Sequence, residues 1–263
     1  MFINHDLHIH THFSPCAEVS ATAEHYIIKA KELGLNKIAF TDHMWDAAVP
    51  CTVSDYKKLT YEYISGIKDE VSRIDTTGVR VLYGCETELD KDGNIGVSEE
   101  LAAKLDIFIV PQSHTHLTMP KELYTPYRKH ADFMLNGFYH IVESPLKKYI
   151  TTIAHPFAAV ACPYDNREIL RLISDKEFTD CFKAANKENI AIEINAGAFS
   201  SCSIGEISTD PMLHMLRLAK NAGCKFVFGS DSHNDKGHDR FFKNYVIATL
   251  LELTESDIAD FAK

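Results

Sequence analysis

Short runs of β-branched, aliphatic and aromatic residues recur along the chain, separated by longer stretches in which apolar residues return every three or four positions. Fully apolar runs imply strands covered on both faces, and the longer period implies amphipathic helices. Together they predict repeated βα units around a parallel sheet. Strands are expected at 3–8, 37–41, 79–86, 107–112, 150–155, 190–195 and 225–229, and helices at 22–33, 54–74, 98–104, 128–142, 167–173, 175–188 and 210–222. Asp210 before Pro211 fits an N-cap with proline in the first turn, and Gly34 and Gly223 stand where helices stop. Thr254 and Asp257 are spaced as a capping box, so a short final helix is expected outside the barrel. Segments 117–127 and 196–209 read as long loops.

A length of 263 residues suits one α/β barrel, and no repeat or linker divides it, so a single domain over 1–263 is expected. The net charge of -10, with no Lys/Arg cluster, disfavours capture of long nucleic acid. A small anionic substrate remains compatible if bound cations make the site locally positive. Seven scattered cysteines without a Cys-x-x-Cys pair argue against a disulfide framework and for a reducing compartment. The N-terminus lacks leader features and no apolar run reaches membrane-spanning length, so a cytoplasmic protein without a membrane partner is expected. The pattern carries no signal of oligomeric state.

The candidate chemistry sits where strands are expected to end. His8 and His10 are two apart, so on a strand both imidazoles face one side and can meet one metal. Asp42-His43 follows one apolar run and Asp231-x-His233 follows another, while Glu86, His114 and His155 each close a further one. The carboxyl-terminal rim of a barrel is where active sites collect. Any one of these is compatible with a strand-end surface residue, but their recurrence points to one shared site. A carboxylate such as Glu86 has two oxygens with which to bridge neighbouring cations, with Glu88 as its competitor on the same strand side.

In order and spacing, His8-Ile-His10, Thr41-Asp-His43, Glu86, Ser113-His114, Ala154-His155-Pro156 and Ser230-Asp-Ser-His233 resemble the successive motifs of the PHP family, the polymerase and histidinol phosphatase superfamily. The resemblance spans residues 6–233 and implies a distorted TIM-like (β/α)7 barrel with a trinuclear metal site at the strand ends. It implies two or three divalent cations, zinc foremost, with iron or manganese as alternatives. Carried over residue by residue, His8, His10, Glu86 and Asp231 would hold the first cation and Glu86, His114 and His155 the second. His43 and His233 would hold the third, with a ligand from the loop after His10. Family members often place an acid or histidine where this chain has Cys16. A thiolate there would favour zinc over hard cations; alternatively Cys16 is a small buried residue and the third site is weak, empty or completed by His12.

The activity this implies is hydrolysis of a small phosphate monoester, histidinol-phosphate-like, by a hydroxide bridging two cations that share Glu86. His12, His116, His238 or a metal-bound water would protonate the leaving oxygen. Arg128, Arg167, Arg171 and Arg240 are candidate phosphate contacts. Glu193 and Asn195 are read as facing substrate or supporting ligands, and Asp6 and Asp42 as orienting imidazoles. The alternatives are a phosphodiesterase or nucleotide hydrolase on the same cluster, and a non-catalytic metal-binding module.

Overall fold

The computed structural model describes residues 3–160, 162 and 164–263. Met1 and Phe2, part of the segment read for a leader, lie outside the described residues. Seven strands form one sheet in sequence order: β1 (His5–Ile9), β2 (Lys37–Phe40), β3 (Arg80–Glu86), β4 (Ile107–Pro111), β5 (Thr152–Ala154), β6 (Ala191–Asn195) and β7 (Phe226–Gly229). Every neighbouring pair is parallel. The end of the first strand meets the segment just past the last: the Asp231 N–H donates to His8 O at 2.9 Å and the His10 N–H donates to Ser232 O at 3.0 Å. The α/β barrel expected from the alternating pattern is therefore nearly closed.

Helices cover the outside for the reasons their sequences give. In α1 (Ala23–Leu33) the residues Ala23, Tyr26, Ile27 and Ala30 form the buried stripe; Thr22 caps its start and Gly34 ends it at φ 72°. α6 (Tyr127–Glu143) and α8 (Asp175–Lys187) follow the same logic, α8 with a complete Ser174–Glu177 capping box. Asp210 and Pro211 open α10 (Pro211–Asn221) as expected. No helix among the described residues is long and apolar enough to cross a membrane.

Two expectations are corrected, and one helix goes beyond them. Segment 54–74 is not one helix but a 3-10 turn (Ser54–Tyr56) followed by α2 (Tyr61–Ile64) and α3 (Gly66–Val71). Val53, Tyr56 and Leu59 pack with Trp45 into a small core of their own instead of forming a stripe. The Thr254–Asp257 capping box forms but encloses only a 3-10 turn, because Ile258 turns extended and bridges to Phe226. A helix over Phe242–Leu250 has no side-chain cap, which is why no start signal marks it.

Candidate metal centre

Backbone strain marks the rim of the barrel. His155 has φ 25° and Asp231 φ 53°, values rare outside glycine. Both are held by the fold: the His155 N–H donates to Glu193 Oε2 at 2.6 Å, and Asp231 is tied to His8 as above. Phe157, itself at φ 59°, is fully buried against Phe138 and Phe178 and anchors the loop carrying His155. Burying such a ring stabilises by about 1.5–3 kcal/mol, comparable with the strain of about 1–3 kcal/mol at one such residue.

These backbones bring eight of the nine expected ligands into one cluster. Four overlapping groups have ligand atoms mutually within 4.8 Å: His8, His10 and Glu86; His8, His155 and Asp231; Glu86, His114 and His155; and His10, His43 and His233. The ninth, Cys16, belongs to none of them. It is an exposed residue lining the pocket above Glu86, where the surrounding protein and the Glu86 charge push its thiol up to about 12.

The donor set fits cations. Glu86 Oε2 is buried without a hydrogen-bond partner, while His10 Nε2 and His43 Nδ1 stand 3.2 Å from it and His8 Nε2 3.4 Å. His43 Nδ1 is likewise buried and unpartnered. His8 Nδ1 donates to Glu193 Oε1 at 2.8 Å and His10 Nδ1 to Ser14 Oγ at 3.1 Å, which leaves the two Nε2 atoms facing each other at 3.0 Å. Two lone pairs so placed repel unless a proton or a cation lies between them. Imidazole nitrogens with shared carboxylates suit zinc and its transition-metal neighbours.

Charge divides the metal-free cluster in two. Burial opposes protonation of His8, but Glu193, Glu86 and Asp231 outweigh it and hold its pKa well above the usual value. His114 is pushed up to about 9 in the same way, burial being outweighed by Glu88 and Glu86. Burial and neighbouring His10 instead lower His43 well below its usual value and His233 to about 4. Burial would raise Glu86 and Asp231, yet the surrounding imidazoles keep both carboxyls ionised.

The supporting residues differ in part from expectation. Glu193 does hold His8. Asp42 acts on His10 only through Ser14, whose hydroxyl donates to Asp42 Oδ1 at 2.6 Å. Asp6 touches no candidate ligand ring: it accepts from the backbone of His8 and Ser230 and from His238 Nε2 at 2.7 Å. His238 is thereby buried away from the pocket, which corrects its reading as a proton donor. His12 is also displaced, its Nε2 lying 3.0 Å from Glu70. His116 does line the pocket, with His43, Glu86 and His114, and partial burial and nearby His114 lower its pKa.

Among the arginines, only Arg240 lines the adjoining cleft, about 330 Å³, that His155, Asp231 and His233 share. Arg128 is committed to Asp132 and Glu177, and Arg167 to Asp210; Arg167 and Arg171 line a separate pocket. Two roles were missed. Glu88, read as a rival to Glu86, accepts from His114 Nδ1 at 2.6 Å, and Tyr56 donates to the same oxygen at 2.8 Å. Ser113 Oγ lies 2.6 Å from His155 Nδ1. The signal for Glu88 was its two-residue spacing from Glu86; Tyr56 left none.

Seven parallel strands closing on buried imidazoles and carboxylates define an α/β barrel of the metal-site class. The sequence pattern of the PHP domain matches residues 6–258, and the chain belongs to that family. It is 26% identical over 231 residues to a probable phosphatase of Clostridium novyi (strain NT), covering 86% of this chain and 78% of that one. A probable phosphatase of Acetivibrio thermocellus is 26% identical over 245 residues, covering 93% and 86%. In fold the chain is similar to the histidinol phosphate phosphatase of Lactococcus lactis, solved with zinc, L-histidinol and phosphate: TM-score 0.60, 17% identity, 96% and 95% of the two chains. A candidate histidinol phosphatase of Listeria monocytogenes aligns with TM-score 0.67 and 15% identity over 92% and 99%.

Proposed function

We propose that this chain is a metal-dependent phosphatase acting on a small phosphate monoester. The observation that carries the reading is Glu86, buried and unpartnered at Oε2, within reach of His8, His10 and His43 on one side and 2.9 Å from His155 on the other. The names of the curated relatives support it. His8, His10, Glu86, His114, His155, Asp231, His43 and His233 would hold two or three divalent cations, zinc foremost, which supply Lewis acidity and an acidified water as nucleophile.

The chain's own groups do the rest. Glu193, Glu88, Ser113 and Ser14 fix the tautomer and tilt of four imidazoles, so the cluster needs little rearrangement during reaction. Arg240, at the mouth of the larger cleft, would take phosphate oxygens, and the organic part of the substrate would extend along Ala158, Asn166 and Met212. His116, at the pocket edge, would exchange a proton with the leaving oxygen.

Purified protein should contain zinc, iron or manganese, hydrolyse p-nitrophenyl phosphate, and lose that activity to a chelator. Fully metallated protein inert towards a broad panel of phosphomonoesters and diesters would overturn the proposal.

A further inference from the structure

Beyond the candidate ligands, the cleft of about 330 Å³ beside the metal cluster has a one-sided wall. Ala158, Ala159, Val160, Ala198 and Met212 give it apolar surface. Asn166, the amide among them, is tied to its own loop: its Oδ1 accepts from the Ala159 N–H at 3.2 Å and its Nδ2 donates to Phe157 O at 3.1 Å. A cavity of about 150 Å³ takes a six-atom ring, so the cleft has room for a phosphate and an organic group of roughly six non-hydrogen atoms.

Charge on that wall has one sign. Among the described residues, Arg240 is the only charged side chain of the lining apart from the candidate ligands. It is half-buried and, unlike Arg128 and Arg167, makes no hydrogen bond or ion pair with the described residues. Asp231, the one carboxylate of the lining, belongs to the candidate ligands. The nearby acids are turned elsewhere: Asp165 accepts from the Arg167 N–H, and Asp210 from the Arg167 guanidinium and the Met212 N–H. An ammonium in the cleft would therefore stand beside a guanidinium with no free carboxylate to offset it, and bound metal cations would add to the repulsion. An uncharged group meets no such opposition and removes the alanine and methionine surface from water.

Building on the phosphatase reading, we propose that this cleft selects phosphate monoesters whose organic group is uncharged and largely apolar, and rejects aminoalkyl phosphates. Arg240 acts twice, drawing in the phosphate and repelling a cation on the group attached to it. Histidinol phosphate, which carries an ammonium, falls in the rejected class.

The test compares 3,3-dimethylbutyl phosphate with choline phosphate, which match in shape and differ by a quaternary carbon against a quaternary nitrogen. On the zinc-loaded full chain, kcat/KM should favour the neutral ester by about tenfold or more, although choline is the better leaving group. Arg240→Met should weaken both esters and shrink that ratio by about threefold or more. Ala198→Asp, which sets a carboxylate in the wall, should shrink it by improving the choline ester. Circular-dichroism melts confirm that each variant is folded. Hydrolysis of p-nitrophenyl phosphate reports separately on the phosphatase reading, and its absence would end both claims. Active protein that takes choline phosphate as well as its neutral twin, or a ratio unmoved in a folded variant of either kind, would overturn the selectivity while leaving the phosphatase in place.

Discussion

His8 and Glu193 are joined by a 2.8 Å hydrogen bond from Nδ1 to Oε1, and the other oxygen of that carboxylate pins the backbone of His155. One side chain on β6 thus sets both the tautomer of a candidate ligand on β1 and the position of a candidate ligand after β5. Gly229 makes room for it: a Cβ there would overlap Glu193 Oε1 and lie 2.7 Å from His8 Cβ. Glu193→Gln turns an amide donor towards one of two groups that both donate. Metal affinity should fall by about 10–100-fold, as for other residues that orient ligating histidines. Chelator competition measures it; unchanged affinity would refute the role.

Glu86 is common to two of the four candidate groups and lies beside a third, through His43. Glu86→Gln should therefore remove two metals together, as read by metal analysis of the purified variant. Loss of a single equivalent would contradict a bridging carboxylate.

The metal-free protein should have a bounded range of pH stability. His114 stays protonated up to about 9 when folded and releases its proton near 6.5 when unfolded, so between those values the folded chain binds more protons and stability falls as pH rises. His233, lowered to about 4, works oppositely: its contribution is present above 6.5 and is lost as pH falls towards 4. Thermal melts of chelated protein should therefore weaken on both sides of about 6.5. Metal-loaded protein, whose histidines are fixed neutral, should show a flatter alkaline limb; identical limbs with and without metal would refute this.

Three histidines once equivalent as proton donors now separate. His116→Ala should lower turnover of p-nitrophenyl phosphate by about 10²-fold or more, while His12→Ala, which loses only a half-exposed contact with Glu70, should stay within about twofold. His238→Ala leaves Asp6 buried without its ring partner and should cost about 1–3 kcal/mol of stability. Denaturation and kinetics on the three variants distinguish these outcomes, and a full activity loss in His12→Ala would contradict the assignment.

The barrel was legible because its strands are short apolar runs punctuated by polar residues, and His8 with His10 because a period of two leaves both on one side. The partners of those ligands were not. Asp6 and His238 are 232 positions apart, and nothing local distinguishes an acid that steadies a ligand from one that steadies a bystander. Glu88 was visible as a strand-end acid, but its work on His114 depends on β3 and β4 lying side by side, which joins residues 26 positions apart. Tyr56 was hidden inside a segment read as one helix, whose true packing is around Trp45.

Closure between His8 and Asp231 also has a consequence for biosynthesis. Most of the imidazoles leave the ribosome well before the seventh strand exists, yet the cage lacks a wall until Asp231 and His233 arrive and dock on the opening strand. The completed pocket is thus reserved for chains translated past His233, and a product truncated before it would present scattered histidines to the cell's metal pool.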